Sequence, residues 1–241
     1  AAGREYGVEI IRGCELGVQG QYGEIHLLGL WLPRHSAPLD AELARLRGHR
    51  EERNLKILDR LRSIGINIGY QEVLDEAGGE SVGRPHIARV LQKRGVVSNF
   101  AQAFELYLGY YGAAYVPRTL LTPEEGVSLM ADLGAVVSFA HPMLIRCPPS
   151  WFDEIIPRLK EAGLGAIEAY HSEHSARDER FCVELAARYG LGLSGGSDYH
   201  GMAKPGVELG RGKGGLRVTV ALLDALKARR KRPVDDAPEV L

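Results

Sequence analysis

The sequence is poor in cysteine, with three in 241 residues, and none of them forms a C-x-x-C pair. Cysteines that are odd in number and widely spaced favour neither a disulfide framework nor a thiolate metal site, so we expect a reducing cytoplasm. No apolar run approaches the roughly 20 residues that span a bilayer, and there is no secretory signal. The net charge of -1 gives no electrostatic reason to bind duplex nucleic acid or an anionic membrane. A small anionic substrate held by a local cluster stays compatible with this composition.

The first half of the chain predicts two strands followed by helices. Residues 8–16 have the pattern of a strand that ends at Gly13, with Glu15 just beyond it, and 23–32 that of a second strand. Helical spacing of leucines then covers 39–64, where Gly65 suits a C-terminal cap. Glycine-containing turns divide 66–120 into short helices. We interpret this span as a helical insertion on a barrel-type scaffold.

The second half alternates strands with helices. Thr122 and Glu125 form a capping-box pattern at the start of a helix. Apolar segments then alternate with helical ones, which predicts parallel strands joined by helical crossovers. The predicted strands are 135–140, 166–170 and 191–193, and the predicted helices are 151–162, 176–189 and one near 219–231.

Polar side chains gather at the C-terminal ends of these three strands. In α/β proteins with parallel strands, this is the edge where binding and catalysis occur. The residues are His141, then Glu168, His171 and His174, and then Asp198 and His200. The S-D-x-H pattern alone is equally typical of a polar loop and of a metal site, and an isolated histidine such as His26 is more often a core residue than a ligand.

Five carboxylates and imidazoles at or near strands are candidate metal ligands: Glu15, His26, His141, Asp198 and His200. Oxygen and nitrogen donors without thiolates suit Zn, Mn or Fe. A carboxylate that bridges two metals is a common device in enzymes that hydrolyse phosphate esters. His171 and Glu173 are more simply explained as solvated polar residues.

Five segments, taken in order, resemble motifs of the PHP (polymerase and histidinol phosphatase) domain: 11–16, 25–30, 83–88, 139–142 and 194–200. The resemblance runs from about residue 7 to about 218 and is greatest to stand-alone phosphoesterases that act on nucleotides, including nucleoside 3′,5′-bisphosphate phosphatases. It implies a distorted seven-stranded (βα) barrel with up to three divalent metals, Mn or Zn with Fe as a third option, at the strand C-termini.

The resemblance also implies roles for individual residues. Glu15 would bridge two metals, His26 and His141 would complete one of these sites, Asp198 the other, and His200 would belong to the third. Arg84 and His86 match a motif that meets the substrate phosphate, although a surface arginine and a helix-start histidine explain them equally well. Arg118 is a weaker phosphate candidate. Glu168 and His174 lie at the edge expected for substrate contact.

One departure from the family pattern stands out. Family members begin with an H-x-H strand and a later D-H-D motif, and neither precedes Glu15 here. An N-terminal piece missing from this sequence, a shortened and metal-poor protein, or strands supplied by another chain would each explain this, and we favour the first. The predicted domains are barrel strands at 1–38, the helical insertion at 39–120, further barrel βα units at 121–232 and a tail at 233–241.

The resulting hypothesis is a cytoplasmic phosphoesterase that hydrolyses a phosphomonoester of a small nucleotide, such as a nucleoside 3′,5′-bisphosphate, by a metal-bound hydroxide. Arg84 and His86 would orient the phosphate. The alternatives are a histidinol phosphatase, a 5′-3′ exonuclease acting on short single-stranded RNA, and a catalytically inactive PHP-like binding module. No membrane or duplex nucleic-acid partner is expected.

Overall fold

The protein divides into two compact units. A computed structural model describes residues 2–79, 81–201 and 204–230. The first unit takes in the chain up to Leu39 and again from Leu120 onward, and the second is Asp40–Thr119. The tail expected at 233–241 lies outside the described residues.

The first unit is built on a five-stranded mixed sheet whose strands lie side by side in chain order. The strands are β1 (Gly13–Gly20), β2 (Gly23–Leu30), β3 (Val136–Phe139), β4 (Leu164–His171) and β5 (Gly192–Gly196). β2 is antiparallel to both of its neighbours, whereas β3, β4 and β5 are mutually parallel. The parallel arrangement expected for the last three strands is confirmed, as is the α/β class. The seven-stranded barrel and its N-terminal incompleteness stay predictions.

The predicted position of the first strand, within residues 8–16 and ending at Gly13, was wrong. β1 begins at Gly13, where the sequence pattern was expected to end a strand, and Glu15 lies inside β1. The reason is burial: Val8 is 57% exposed and Ile10 is 71% exposed, so these apolar residues do not contribute to the core. Alternating burial starts later, at Leu16 and Val18, and continues to a two-residue turn that leads into β2.

Helices surround the sheet and make up the second unit. They are α1 (Ala2–Glu5), α2 (Ala37–Ser63), α3 (Tyr70–Ala77), α4 (Arg84–Lys93), α5 (Phe100–Ala103), α6 (Pro123–Asp132), α7 (Ser150–Ala162), α8 (Ala176–Tyr189) and α9 (Val220–Lys227). A π-helical turn, Phe104–Leu108, continues α5, and a short 3₁₀ turn, Pro142–Leu144, follows β3. Within the described ranges, no helix has both the length and the apolar character needed to cross a membrane.

Local signals in the sequence explain several helix ends. The Thr122 hydroxyl accepts the Glu125 backbone N–H, and the Glu125 carboxylate accepts the Thr122 N–H in return, so the expected capping box is confirmed. Gly65 has a φ of 87°, a conformation that favours glycine, directly after α2. Because these interactions are local, the pattern of residue types was enough to predict them.

One face of the β1–β2 hairpin is buried against α6. Gly126 of α6 comes so close that a Cβ there would lie 2.6 Å from Val18 Cγ1 and 3.0 Å from Leu27 Cδ1. Leu16, Val18 and Leu27 are buried on this face. Since successive strand residues point to opposite sides, Glu15 and His26 occupy the other face.

The helical unit, Asp40–Thr119, has its own core. This core consists of buried aliphatic residues from α2, α3, α4 and the segment up to Val116. Two buried polar side chains of α2 donate hydrogen bonds to backbone carbonyl oxygens of this unit. Arg53 Nε donates to Val116 O at 2.9 Å, and Asn54 Nδ2 donates to Val82 O at 3.1 Å.

Candidate metal centre

A carboxylate and two imidazoles meet on the open face of the hairpin. Glu15 Oε1 lies 2.6 Å from His26 Nδ1 and 3.2 Å from His141 Nε2, and the two ring nitrogens are 3.3 Å apart. Among the described residues, these three form a group whose donor atoms all lie within 4.8 Å of one another. The structure therefore brings together three of the five predicted ligands.

The sheet topology explains why residues so far apart in sequence meet. His26 lies opposite Gly17 in β1, which places it diagonally across from Glu15 on the same face. Because β2 is antiparallel to β3, the first half of β2 lies beside the C-terminal end of β3, and His26 O accepts the Ala140 N–H at 3.0 Å. The next residue, His141, leaves the strand with a φ of 27° and turns its ring toward Glu15.

The charges in this cluster are strongly coupled. Hydrogen bonds from His141 and then His26 hold the pKa of Glu15 well below its ordinary range. Hydrogen bonds with Glu15 and then Glu24 raise the pKa of His26 to about 9. Near neutral pH, these shifts favour a Glu15 carboxylate paired with a protonated His26 imidazole. A bound cation would replace that proton.

Asp198 and His200 form a second group after β5. His200 Nδ1 lies 3.2 Å from Asp198 Oδ1 and 3.0 Å from the Asp198 carbonyl oxygen. The Asp198 Oδ2 atom accepts a hydrogen bond from Lys204 Nζ at 2.7 Å, and Lys204 also pairs with Glu173 at 3.0 Å. Like His141, Asp198 has a positive φ, 50°. These two predicted ligands lie outside the three-residue group. Burial opposes the ionised form of Asp198, but the hydrogen bond and positive charge of Lys204 outweigh it, so the pKa of Asp198 is lowered.

Strand β4 supplies buried polar groups between these two sets. Glu168 Oε2 accepts the His141 backbone N–H at 2.7 Å, and burial raises the pKa of Glu168 to about 7. His171 is only 2% exposed, so its interpretation as a solvated residue was wrong. Its ring centroid lies 5.3 Å from that of His141 and 5.2 Å from that of His174. Burial, and then the neighbouring His174 and His141, lower the pKa of His171 to about 4, which keeps this imidazole neutral.

The residues present fit a divalent cation. Glu15 supplies oxygen and the two histidines supply nitrogen, a donor set that suits Zn, Mn or Fe. Two neighbouring imidazole nitrogens, His171 Nε2 and His174 Nε2, are buried and have no hydrogen-bond partner among the residues that the structure describes. Buried polar atoms seldom stay unpaired, so their presence next to the cluster is typical of a site that binds a further polar group.

The predicted phosphate ligands belong to the helical unit. Arg84 Nη1 donates to Leu108 O at 2.9 Å, and its guanidinium lies over the rings of Phe104 and Tyr115. His86 is buried, and its Nδ1 accepts the Gly83 N–H at 3.1 Å. Arg118 is half-buried in the same unit.

Sequence reasoning missed Lys204 and undervalued His171. Lys204 lies in a glycine-rich loop with no pattern that marks it, and only the folded loop brings its ammonium to Asp198. His171 could have been recognised, because it closes the same apolar strand as Glu168. A strand buried on both faces would have predicted an imidazole without solvent.

The chain is similar in sequence to bacterial enzymes. It is 30% identical over 199 residues to a 5′-3′ exoribonuclease of Haemophilus influenzae, covering 83% of this chain and 72% of that protein. It is 27% identical over 236 residues to a 3′,5′-nucleoside bisphosphate phosphatase of Chromobacterium violaceum, covering 98% of this chain and 83% of the relative. No protein-family model matches the sequence.

Two solved structures share the fold. One, from Bifidobacterium adolescentis and described as a metal-dependent phosphoesterase, has a TM-score of 0.78 and 26% identity over 96% of this chain and 80% of that one. The other is an amidohydrolase from Chromobacterium violaceum with bound sulfate and no metal, with a TM-score of 0.77 and 26% identity over 97% of this chain and 82% of that one.

The mixed sheet, its cluster of carboxylate and imidazole donors and these relatives define the class of the protein as a hydrolase. The chain belongs to the PHP-like family of metal-dependent phosphoesterases.

Proposed function

We propose that this protein is a divalent-metal-dependent phosphatase that removes a phosphate monoester from a small nucleotide, with a nucleoside 3′,5′-bisphosphate as the first candidate. The observation that carries the proposal is the meeting of Glu15, His26 and His141 within 4.8 Å. The bisphosphate phosphatase that matches 98% of this chain supports the choice of substrate.

One metal site would be formed by Glu15, His26 and His141. Further sites would be formed by Asp198 and His200. The proposed ion is Mn or Zn. Divalent ions in such a site supply Lewis acidity and an activated water at neutral pH. To hold the ion, His26 would have to lose the proton that Glu15 and Glu24 stabilise. The carboxylate of Glu15 stays ionised throughout, because its pKa is held low by both histidines.

The test is release of inorganic phosphate from adenosine 3′,5′-bisphosphate by the purified chain with added Mn²⁺ and after chelation. We expect release that depends on the metal and falls at least about a hundred-fold in Glu15→Gln, which keeps the size of the side chain but loses its charge. Elemental analysis of the same samples decides between an enzyme and a binding module. A folded chain that holds no metal and releases no phosphate would favour the inactive module.

Substrate contacts by Arg84, His86, Arg118, Glu168 and His174 are a separate part of the proposal. Arginine suits this role because its planar fork binds phosphate through two hydrogen bonds. We expect Arg84→Ala to raise KM about ten-fold or more for the nucleotide. The matched control is Arg89→Ala, because Arg89 is exposed on the same helix. Equal KM values for the two variants would remove Arg84 from the substrate site.

Exonucleolytic cleavage of short single-stranded RNA is the second candidate. Its supporting observation is a pair of tyrosines in the helical unit, of which Tyr110 is 71% exposed and Tyr111 is 95% exposed. Exposed aromatic rings can stack on unpaired bases. The test measures kcat/KM for three substrates: the bisphosphate, a 5′-phosphorylated pentaribonucleotide and histidinol phosphate. The three values distinguish the bisphosphate phosphatase, exonuclease and histidinol phosphatase activities. We expect the bisphosphate to have the highest value.

A further inference from the structure

Strand β4 contains a β-bulge next to the candidate metal centre. Glu168 pairs with Ser194 and Tyr170 pairs with Gly195, so two steps along β4 match one step along β5, and Ala169 is the extra residue. A bulge re-aims the side chains that follow it. Glu168 and His171, three positions apart, are therefore both buried and both reach residues of the site. His174 Nδ1–H donates to the carbonyl oxygen of Ala169 at 2.9 Å and so holds the bulge.

Glu168 supports the backbone of His141. His141 has a φ of 27° and a ψ of 56°, a conformation that a residue with a side chain seldom adopts. The carboxylate Oε2 of Glu168 accepts the His141 N–H at 2.7 Å. Strained conformations persist only where surrounding contacts enforce them, and this hydrogen bond comes from a side chain that is 5% exposed.

His171 faces the carboxylate of Asp198. The Glu173 backbone N–H donates to His171 Nδ1 at 3.2 Å, so the ring proton of the neutral imidazole must lie on Nε2. That Nε2 lies 3.5 Å from Asp198 Oδ2 and has no hydrogen-bond partner within the described part of the chain. A small movement of Asp198 would complete an N–H···O bond from His171.

We propose that Glu168 and His171 are positioning residues, which the bulge of β4 brings to one side so that they orient His141 and Asp198 as metal ligands. Partners of this kind fix the orientation of a ligand, and their loss commonly costs ten- to a hundred-fold in metal affinity. The inference rests on the proposed metal-dependent function. It gives Glu168 a role through its hydrogen bond to the His141 backbone, in addition to the substrate contact proposed above.

The first test compares Glu168→Gln with Glu168→Asp by hydrogen exchange and metal titration. Gln keeps an oxygen at the reach of Oε2 but loses the charge, whereas Asp keeps the charge but withdraws it by one methylene. In the metal-free protein, we expect the His141 amide to keep its protection from exchange in Glu168→Gln and to lose it at least ten-fold in Glu168→Asp. Mn²⁺ affinity should follow the same order. The opposite order would show that Glu168 acts through its charge and would overturn the proposal.

The matched control is Ser194→Ala. Ser194 is buried opposite Glu168 in the sheet, and its hydroxyl is hydrogen-bonded to that of Ser138 at 2.7 Å. We expect it to leave His141 exchange and Mn²⁺ affinity within about two-fold of the parent. A loss as large as that of Glu168→Asp would reduce the role of Glu168 to general stabilisation of the sheet.

The second test compares His171→Gln with His171→Leu. The amide nitrogen of Gln can replace the Nε2–H donor, whereas Leu fills the space without a donor. We expect Mn²⁺ affinity to fall ten-fold or more in His171→Leu and to recover most of the loss in His171→Gln. Equal losses in the two variants would overturn the positioning role of His171.

These measurements separate the inference from the proposed function. Amide exchange and Mn²⁺ titration use no substrate, so they report on positioning even if no tested nucleotide is hydrolysed. Hydrolysis by the parent together with unchanged exchange and affinity in Glu168→Asp would disprove the inference and leave the proposed function in place.

Discussion

Two residues of the candidate site, His141 and Asp198, have backbone conformations that side chains normally disfavour. Their φ values are 27° and 50°, and each follows the C-terminal end of a parallel strand. Such conformations cost on the order of 1–3 kcal/mol each. These conformations turn the His141 imidazole and the Asp198 carboxylate toward the same edge of the sheet.

The neighbours of His26 provide a residue-level prediction about metal binding. Both Glu15 and Glu24 approach this imidazole, with Oε1 atoms at 2.6 Å and 3.7 Å respectively. We expect Glu15→Gln to weaken Mn²⁺ binding about a hundred-fold by isothermal titration, because it removes a ligand, and Glu24→Gln to weaken it only a few-fold. Equal effects would mean that Glu15 is not distinguished as a ligand.

A second residue-level prediction concerns pH. Burial raises the pKa of the Cys182 thiol to about 12, well above the value of about 8.5 of an exposed thiol. The folded state therefore favours the neutral thiol, and its stabilising effect is present below about pH 9 and is lost as the pH rises toward 12. At pH 8.5, we expect iodoacetamide to label the half-buried Cys147 in the native protein and Cys182 only after denaturation, as measured by mass spectrometry. Rapid native labelling of Cys182 would contradict its burial.

At the scale of secondary structure, α6 and α9 both have threonine as the N-cap residue but differ in their capping hydrogen bonds. The Thr122 hydroxyl accepts the Glu125 N–H, whereas the Thr219 side chain makes no cap hydrogen bond to any residue that the structure describes. We expect Thr122→Ala to lower the free energy of unfolding by about 1 kcal/mol and Thr219→Ala to change it by a few tenths at most. Urea denaturation of the two variants measures the difference. Similar losses would show that the side-chain bond does not stabilise α6.

The contact between α6 and the hairpin gives a further prediction. An added Cβ at Gly126 would lie 2.6 Å from Val18 Cγ1, whereas one at Gly48, on an exposed part of α2, would have no atom of the described residues within 4 Å. We expect Gly126→Ala to destabilise the protein by about 1–3 kcal/mol through overpacking and Gly48→Ala to stabilise it by about 0.5–1 kcal/mol. Thermal denaturation should give opposite signs for the same chemical change. A gain in stability from Gly126→Ala would argue against close packing of α6 on β1 and β2.

At the scale of the whole protein, the metal should contribute to stability. A ligand that binds only the folded state adds about 2.7 kcal/mol at a hundred times its Kd. We therefore expect saturating Mn²⁺ to raise Tm by several degrees, chelation to reverse the increase, and Glu15→Gln to show little increase. An equal rise in Glu15→Gln would place the stabilising ion elsewhere.

Local patterns in the sequence predicted much of the first unit and of the site. The parallel order of β3, β4 and β5, the capping box at Thr122 and the meeting of Glu15, His26 and His141 could be anticipated. The periodicity of strands and helices and the residues that cap helices are local properties of the sequence. The order of the motifs can likewise be read along the chain. The roles of Arg84, His86, Arg118 and His174 stay predictions.

Other features of the fold and the site depend on contacts between segments that are far apart in the sequence. The start of β1 at Gly13 follows from which apolar residues the core can bury, since Val8 and Ile10 stay exposed. The bulge at Ala169 depends on the register between two strands, which no single strand specifies. That register turns Glu168 and His171 to the same side, and the folded loop brings Lys204 to Asp198. Residue types along the chain determined which groups were available for chemistry, whereas pairing between strands determined which of them meet.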